Sequence, residues 1–316
     1  MAKIHIRQAK LDDTLAISAL FCTQIPVWQR INAQGQVEDL PYESLSIYER
    51  WLHGGAWMSV ETGALYLSHL LSGGGLPLVA EINGTVRGYA EVFEGDEPPP
   101  FGKHLHLAAL LTHLNQPEKT LENALVRYLL EQAQQMDVRR VTVSFSGYDQ
   151  AQAAFFGRFG MTQLETVGRF AVKAQTGQGF YKVTDHFNAD PAQIDGWHMP
   201  IGRTESARQH WETLWTRLYR AVPAIEARRS YRLRFTASGR DAYLFCQEDL
   251  YNPRAVDLYF WSPKPLTSQI MVAIRDWAHR QSYRTLHLTM PQSVVETLSL
   301  DAEAIPFQQV IYGVDV

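Results

Sequence analysis

This chain of 316 residues writes one order of strands and turns twice. A strand-like run at 78–82, the turn pair Asn83-Gly84 and a second run at 87–94 recur as 232–237, Ser238-Gly239 and 242–248. Further on, residues 125–144 lie without gaps on 270–289, with Ala133 on Ala278, Arg139 on Arg284, Val141 on Leu286 and Val143 on Leu288. A repeat on this scale restricts the fold to two copies of one series of elements. The length agrees, because 316 residues divide into two domains of roughly 150 residues, each large enough to bury a core. The expected domains are 1–178 and 179–316, with the linker in the polar stretches 175–179 and 188–196.

Periodicity names the elements of each copy. Ile4 and Ile6 alternate with polar neighbours, and Asp12 or Asp13 can cap a helix whose Leu15, Ile17, Leu20 and Phe21 form a buried stripe. Residues 24–76 are an insertion rich in large rings (Trp28, Tyr42, Tyr48, Trp51, Trp57 and Tyr66), read as one or two helices and closed by Gly73-Gly74-Gly75. Asn83-Gly84 suits a two-residue hairpin because both residues tolerate positive φ. A strand at 104–113 leads to a helix with Leu121, Leu125, Tyr128 and Leu129 on one face, then come a strand at 138–145, a short helix at 151–159 and a closing strand region at 162–172.

The second copy lacks the insertion. After an extra strand at 180–184 it offers a strand at 197–201, a helix at 204–220 capped by Thr204, and strands at 232–237, 242–248 and 256–261. A helix at 266–281 burying Ile270, Ala273, Ile274 and Trp277, a strand at 286–290, a short helix near 294–300 and a last strand near 307–314 complete it.

Strand, helix, hairpin, strand, long helix, strand, short helix, strand resembles the GCN5-related N-acetyltransferase (GNAT) superfamily, over nearly the whole of both copies. The residues that carry the likeness are Ile6-Arg7-Gln8-Ala9-Lys10-Leu11-Asp12-Asp13, Val79-Ala80-Glu81-Ile82-Asn83-Gly84 through Gly88-Tyr89-Ala90, and Phe155-Phe156-Gly157-Arg158-Phe159-Gly160-Met161. The resemblance implies an α/β (α+β) fold of two tandem GNAT-like domains, each a mixed, mainly antiparallel sheet flanked by helices. It also implies acetyl-CoA or another acyl-CoA as donor and a small-molecule amine as acceptor. The strand before the long helix splays from the next one in such domains and leaves a slot for the acyl group. The implied donor contacts are the backbone N–H groups near Leu110, Leu111 and Thr112, for the thioester carbonyl, and Lys119, Thr120 and Asn123 at the head of the long helix.

Two features depart from that pattern. The family's phosphate loop uses glycines so that backbone N–H groups can approach the pyrophosphate, whereas this chain has Pro117-Glu118-Lys119-Thr120-Leu121-Glu122. Asn115-x-x-Glu118 also reads as a capping box that satisfies the helix start by itself. The second copy has Ser262-Pro263-Lys264-Pro265-Leu266-Thr267 there, in which two prolines remove two donors. A tyrosine that family members often use as general acid corresponds to Phe156, which has no proton to give. Tyr148 is the nearby substitute, or else a surface residue at a strand end.

Two residues are candidate bases for the acceptor amine. His106 shares a strand face with His104, Ala108 and Leu110, and Glu91 lies on the strand before it. The plainer readings are an imidazole at a solvated strand end and an exposed strand carboxylate. The insertion stands where family members build the acceptor pocket, so its rings either line such a pocket or pack the domain. Arg232 and Arg234, with Arg228 and Arg229 close by, form the one basic cluster, which suits a phosphate or carboxylate, or is a solvated face.

Composition narrows the function classes. A net charge of −4 gives no general attraction to nucleic acid or membrane, no apolar run approaches the roughly 18 residues of a membrane span, and no zinc, P-loop or dinucleotide motif occurs. No metal is expected. Cys22 and Cys246 read as intracellular thiols and the protein as cytoplasmic, with association as a homodimer left open. The leading expectation is an acyl-CoA-dependent N-acyltransferase with its chemistry in the first copy. The alternatives are a non-catalytic scaffold or ligand-binding protein of the same fold, and a transferase that draws on an aminoacyl-tRNA.

Overall fold

The structure is a computed structural model that describes residues 3–113, 120–136, 138–226, 229–237 and 239–316. In chain order, the first series comprises β1 (Ile4–Gln8), α1 (Thr14–Cys22), β2 (Gln29–Ile31), β3 (Val37–Asp39), α2 (Ile47–Trp51), α3 (Val60–His69), β4 (Leu76–Ile82), β5 (Thr85–Glu97), β6 (Gly102–Thr112), α4 (Thr120–Gln135), β7 (Arg140–Ser146), α5 (Gln150–Gly157) and β8 (Thr162–Lys173). The second comprises β9 (Tyr181–Asp185), β10 (His198–Ile201), α6 (Ala207–Trp215), α7 (Pro223–Glu226), β11 (Ser230–Ala237), β12 (Arg240–Glu248), β13 (Ala255–Ser262), α8 (Ser268–Arg280), β14 (Thr285–Pro291), α9 (Gln292–Thr297) and β15 (Ala302–Asp315). The run β4-β5-β6-α4-β7-α5-β8 therefore recurs as β11-β12-β13-α8-β14-α9-β15, as the repeat requires. The expected boundary at 178/179 falls in the extended stretch between β8 and β9.

Contacts divide the chain into two compact units. One holds Met1–Phe93, Leu107–Met136 and Leu218–Glu226, and the other Glu94–His106, Asp137–Arg217 and Ala227–Val316. In the first, β1 pairs with β4 and β4 with β5, both antiparallel, and β6 runs back along β5 with His113 N–H donating to the Arg87 carbonyl. Asn83 and Gly84 both take positive φ, 52° and 75°, so the expected hairpin turn forms. Arg7 on β1 holds Asp13 at the head of α1 through bonds of 2.7 and 2.9 Å. Ile17 and Leu20 are buried as expected, but Leu15 is 68% exposed, because the helix turns Thr14, Ile17 and Ser18 inward instead. The insertion contains a small hairpin, β2–β3, in addition to the expected helices.

In the second unit the strand order is β7-β15-β8-β14-β13-β12-β11-β9, with β10 beside β13. Pairing is antiparallel except for β13 with β14. The last strands of the two series are interleaved: β15 lies between β7 and β8, and β8 between β15 and β14. Ile270, Ala273, Ile274 and Trp277 of α8 are buried as the periodicity predicts, each large side chain contributing about 1.5–3 kcal/mol. Ser206, not Thr204, caps α6, accepting from Gln209 N–H at 3.2 Å. Thr204 instead turns its N–H and hydroxyl toward His210 Nε2, at 3.2 and 3.1 Å. Among the described residues no helix is long and apolar enough to cross a membrane.

Candidate active site

Alternation along β5 turns Tyr89, Glu91 and Phe93 to one face, and all three are buried. That face is covered by α1, α3 and the turn Gly55–Met58, whose apolar side chains form one core with Tyr89 and Phe93. Gly63 lets α3 come close, since a Cβ there would lie 3.1 Å from the Trp57 ring. The strand carboxylate expected to be exposed or catalytic is thus an acid inside an aromatic box.

Three donors meet it. Tyr66 Oη donates a short bond to Glu91 Oε1, Tyr89 Oη donates to Oε2 at 2.9 Å, and Trp57 Nε1 to Oε2 at 3.3 Å. An unpartnered carboxylate at this depth costs several kcal/mol, and these aromatic donors offset part of that cost. Burial and the Glu91 charge push the Tyr89 phenol far above its ordinary value, so it remains a donor. Burial, followed by the same charge, also raises Tyr219. Phe21 stacks on Trp57 with centroids 5.6 Å apart. Of the six insertion rings, Trp57 and Tyr66 reach Glu91. Trp28 meets Tyr42 and His53, and Trp51 meets Tyr48 and Tyr219.

The expected donor contacts lie in the same unit. Leu110, Leu111 and Thr112 end β6 half-buried, Thr120 opens α4 exposed, and Asn123 is half-buried one turn on. Lys119 lies outside the described residues, as do Asn115, Pro117 and Glu118. Thr112 Oγ1 donates to Glu122 Oε1 at 2.7 Å, which ties the one described carboxylate of this helix head back onto β6.

His106 belongs to the other unit and is not at a solvated strand end, since it and His104 are each 1% exposed. Its Nδ1 lies 2.9 Å from Thr142 Oγ1 and its Nε2 2.7 Å from Glu205 Oε2, so both ring nitrogens are engaged. Burial lowers the His106 imidazole to about 3 and raises the Glu205 carboxyl to about 8. The pair thus shares one proton across the neutral range. Gln309 Nε2 donates to Glu205 Oε1 at 3.2 Å and to the Thr204 carbonyl at 2.6 Å. Tyr148 is 70% exposed on the turn before α5, and Phe156 is buried against Phe145 and Phe155.

The second series closes its own version of the slot. Parallel pairing of β13 with β14 stops at Leu258 and Leu288. Beyond that point β10 takes the free edge of β13, with His198 opposite Ser262 and Ile201 opposite Phe260, and Gly202 N–H donates to the Thr289 carbonyl of β14 at 2.7 Å. Gly202 has φ +86°, and a Cβ there would stand 2.5 Å from the Tyr259 ring, so only glycine allows this approach. The Thr267 hydroxyl accepts from Ile270 N–H at the head of α8. An acyl-CoA does not fit this series.

The basic cluster is used within the fold. Arg232 donates to the Leu214 and Trp215 carbonyls at the end of α6, at 2.7 and 3.2 Å, and Arg234 pairs with Asp241, while Arg228 lies outside the described residues. Asp249, Asp257 and His287 bring possible ligand atoms within 4.8 Å of one another, although Arg169 already bonds Asp257 at 2.7 Å. That grouping has no sequence signature, because its members are strand and loop residues far apart in the chain.

Residues 39–161 match the family model described as Acetyltransferase (GNAT) family. No curated protein matches the chain. Among solved structures it is similar to a GCN5-related N-acetyltransferase from Anabaena variabilis, with a TM-score of 0.63 and 10% identity over 98% of this chain and 72% of that one. It is also similar to one from Kribbella flavida, with a TM-score of 0.57 and 9% identity over 98% and 71%. At such identities the likeness is one of fold.

Proposed function

We propose that this chain is a member of the GNAT superfamily and transfers an acyl group from acetyl-CoA or another acyl-CoA to a small-molecule amine, with the chemistry in its first repeat; the family-model match over residues 39–161 and the shared fold support this. The observation that carries this reading is Glu91, a buried carboxyl group that accepts from Trp57, Tyr66 and Tyr89 inside the stretch that matches the family model. The filled opening between β13 and β14 supports giving the reaction to the first repeat.

The acyl-CoA supplies the activated acyl carbon. Thr120 and Asn123 would hold its anionic part, and the backbone N–H groups near Leu110, Leu111 and Thr112 would polarise the thioester carbonyl. Glu91 accepts the proton of the acceptor nitrogen as the N–C bond forms and the C–S bond breaks. His106 belongs to the other unit, where its ring nitrogens meet Thr142 and Glu205. A thiol is acidic enough to leave with little help, so Tyr148 is a proton source and not a requirement.

Thermal unfolding with and without acetyl-CoA, longer acyl-CoAs and free CoA is the first test. A donor at about 100 times its dissociation constant should stabilise by about 2.7 kcal/mol. Thiol release with a panel of amines then tests Glu91: Glu91→Gln should lower kcat/KM about 100-fold or more while the thermal shift by acyl-CoA persists. If no CoA species shifts the melting temperature, the reading fails. The scaffold reading then takes its place, favoured by a proton-less Phe156.

A further inference from the structure

We propose that the cavity beside β10 is a binding site for a small organic cation, with a primary ammonium on Glu165 and an apolar body against a wall of prolines. The cavity lies wholly within the second unit and measures about 250 Å³, room for about eight water-sized groups at the roughly 30 Å³ a water occupies in the liquid. Its charged end is formed by Glu97, Glu165 and Arg203.

Arg203 has no charge to spare. Its guanidinium pairs with Glu97, contacts the Glu205 carbonyl at 3.4 Å and lies over the Phe101 ring at 4.2 Å. Glu97 is neutralised by that pair and also accepts from Ala207 N–H at 3.0 Å. Glu165 is left over. Its side chain keeps 23% exposure, accepts no hydrogen bond among the described residues, and comes no nearer than 4.0 Å to Arg203 Nε. Burial raises its carboxyl, against the opposing pull of Arg203. His198 is also on the wall, and burial lowers its imidazole from the ordinary value. Apart from Ser293 and Thr297 the remaining lining is apolar, with Pro98, Pro100, Pro200, Met199, Leu266 and Val294 among it. Fixed proline φ angles hold such a wall in shape before a ligand arrives.

The test is calorimetric titration of the full chain with benzylamine, benzyl alcohol and benzoate, which share a shape and differ in charge. Benzylamine should bind one per chain at millimolar concentration, and the alcohol and benzoate at least tenfold more weakly. Glu165→Gln should weaken benzylamine about tenfold at an unchanged melting temperature, and Val294→Trp, which fills the cavity, should abolish binding. Glu91→Gln should leave it intact, which separates this site from the proposed acceptor site. Absence of saturable benzylamine binding, equal binding of all three probes, or unchanged affinity in Glu165→Gln would overturn the proposal.

Discussion

A carboxylate deep on β5 persists because Trp57, Tyr66 and Tyr89 supply what water would. Tyr66→Phe removes one donor and should cost about 1.5–3 kcal/mol of stability, measured as a lower urea midpoint; an unchanged midpoint would show that the bond carries nothing. Glu91 could be singled out from its strand, but its partners could not, because Trp57 and Tyr66 stand 34 and 25 residues upstream. The same holds for His106, whose partner Glu205 is 99 residues away. That pair predicts a pH profile. The folded chain keeps the Glu205 proton up to about pH 8, while an unfolded carboxyl releases it near 4.5. The fold binds the extra proton across that window, so this group's stabilisation falls as pH rises. Below pH 6.5 the sign reverses for His106 and His210, which stay neutral in the fold to about 3 while unfolded histidines take up protons. Urea midpoints should therefore decline from pH 6.5 to about 8 in the natural chain and not in Glu205→Gln. Parallel profiles of the two proteins would contradict this assignment.

At the scale of elements, β10 does in the second series what no periodicity could announce. The alternation of 197–201 marked a strand correctly, but its partner is decided by the far edge of β13, some sixty positions on. Gly202 is the pin. Gly202→Ala forces a side chain into a left-handed backbone against Tyr259 and should cost at least about 2 kcal/mol, read as a fall in melting temperature; a neutral outcome would mean that β10 is not held against β14. The order of elements was legible because each carries its own hydrophobic period. The interleaving of β8 and β15 was not, since both strands alternate in the same way and only long-range pairing separates one slot from another. The cap of α6 misled for a local reason: Thr204 and Ser206 are both good caps, and His210 claims the first.

For the whole molecule the proposal comes down to two repeats, in the second of which β10 fills the gap between β13 and β14. The duplication was visible in the sequence, as was the loss of glycines from both helix heads, but the plug in the second slot is a property of the folded chain alone. The direct measurement is the stoichiometry of acetyl-CoA binding to the full chain by titration calorimetry. The account predicts one site per chain, kept in Glu91→Gln. Two sites per chain would show that β10 leaves the second slot open, and no binding at all would show that the first repeat does not use an acyl-CoA.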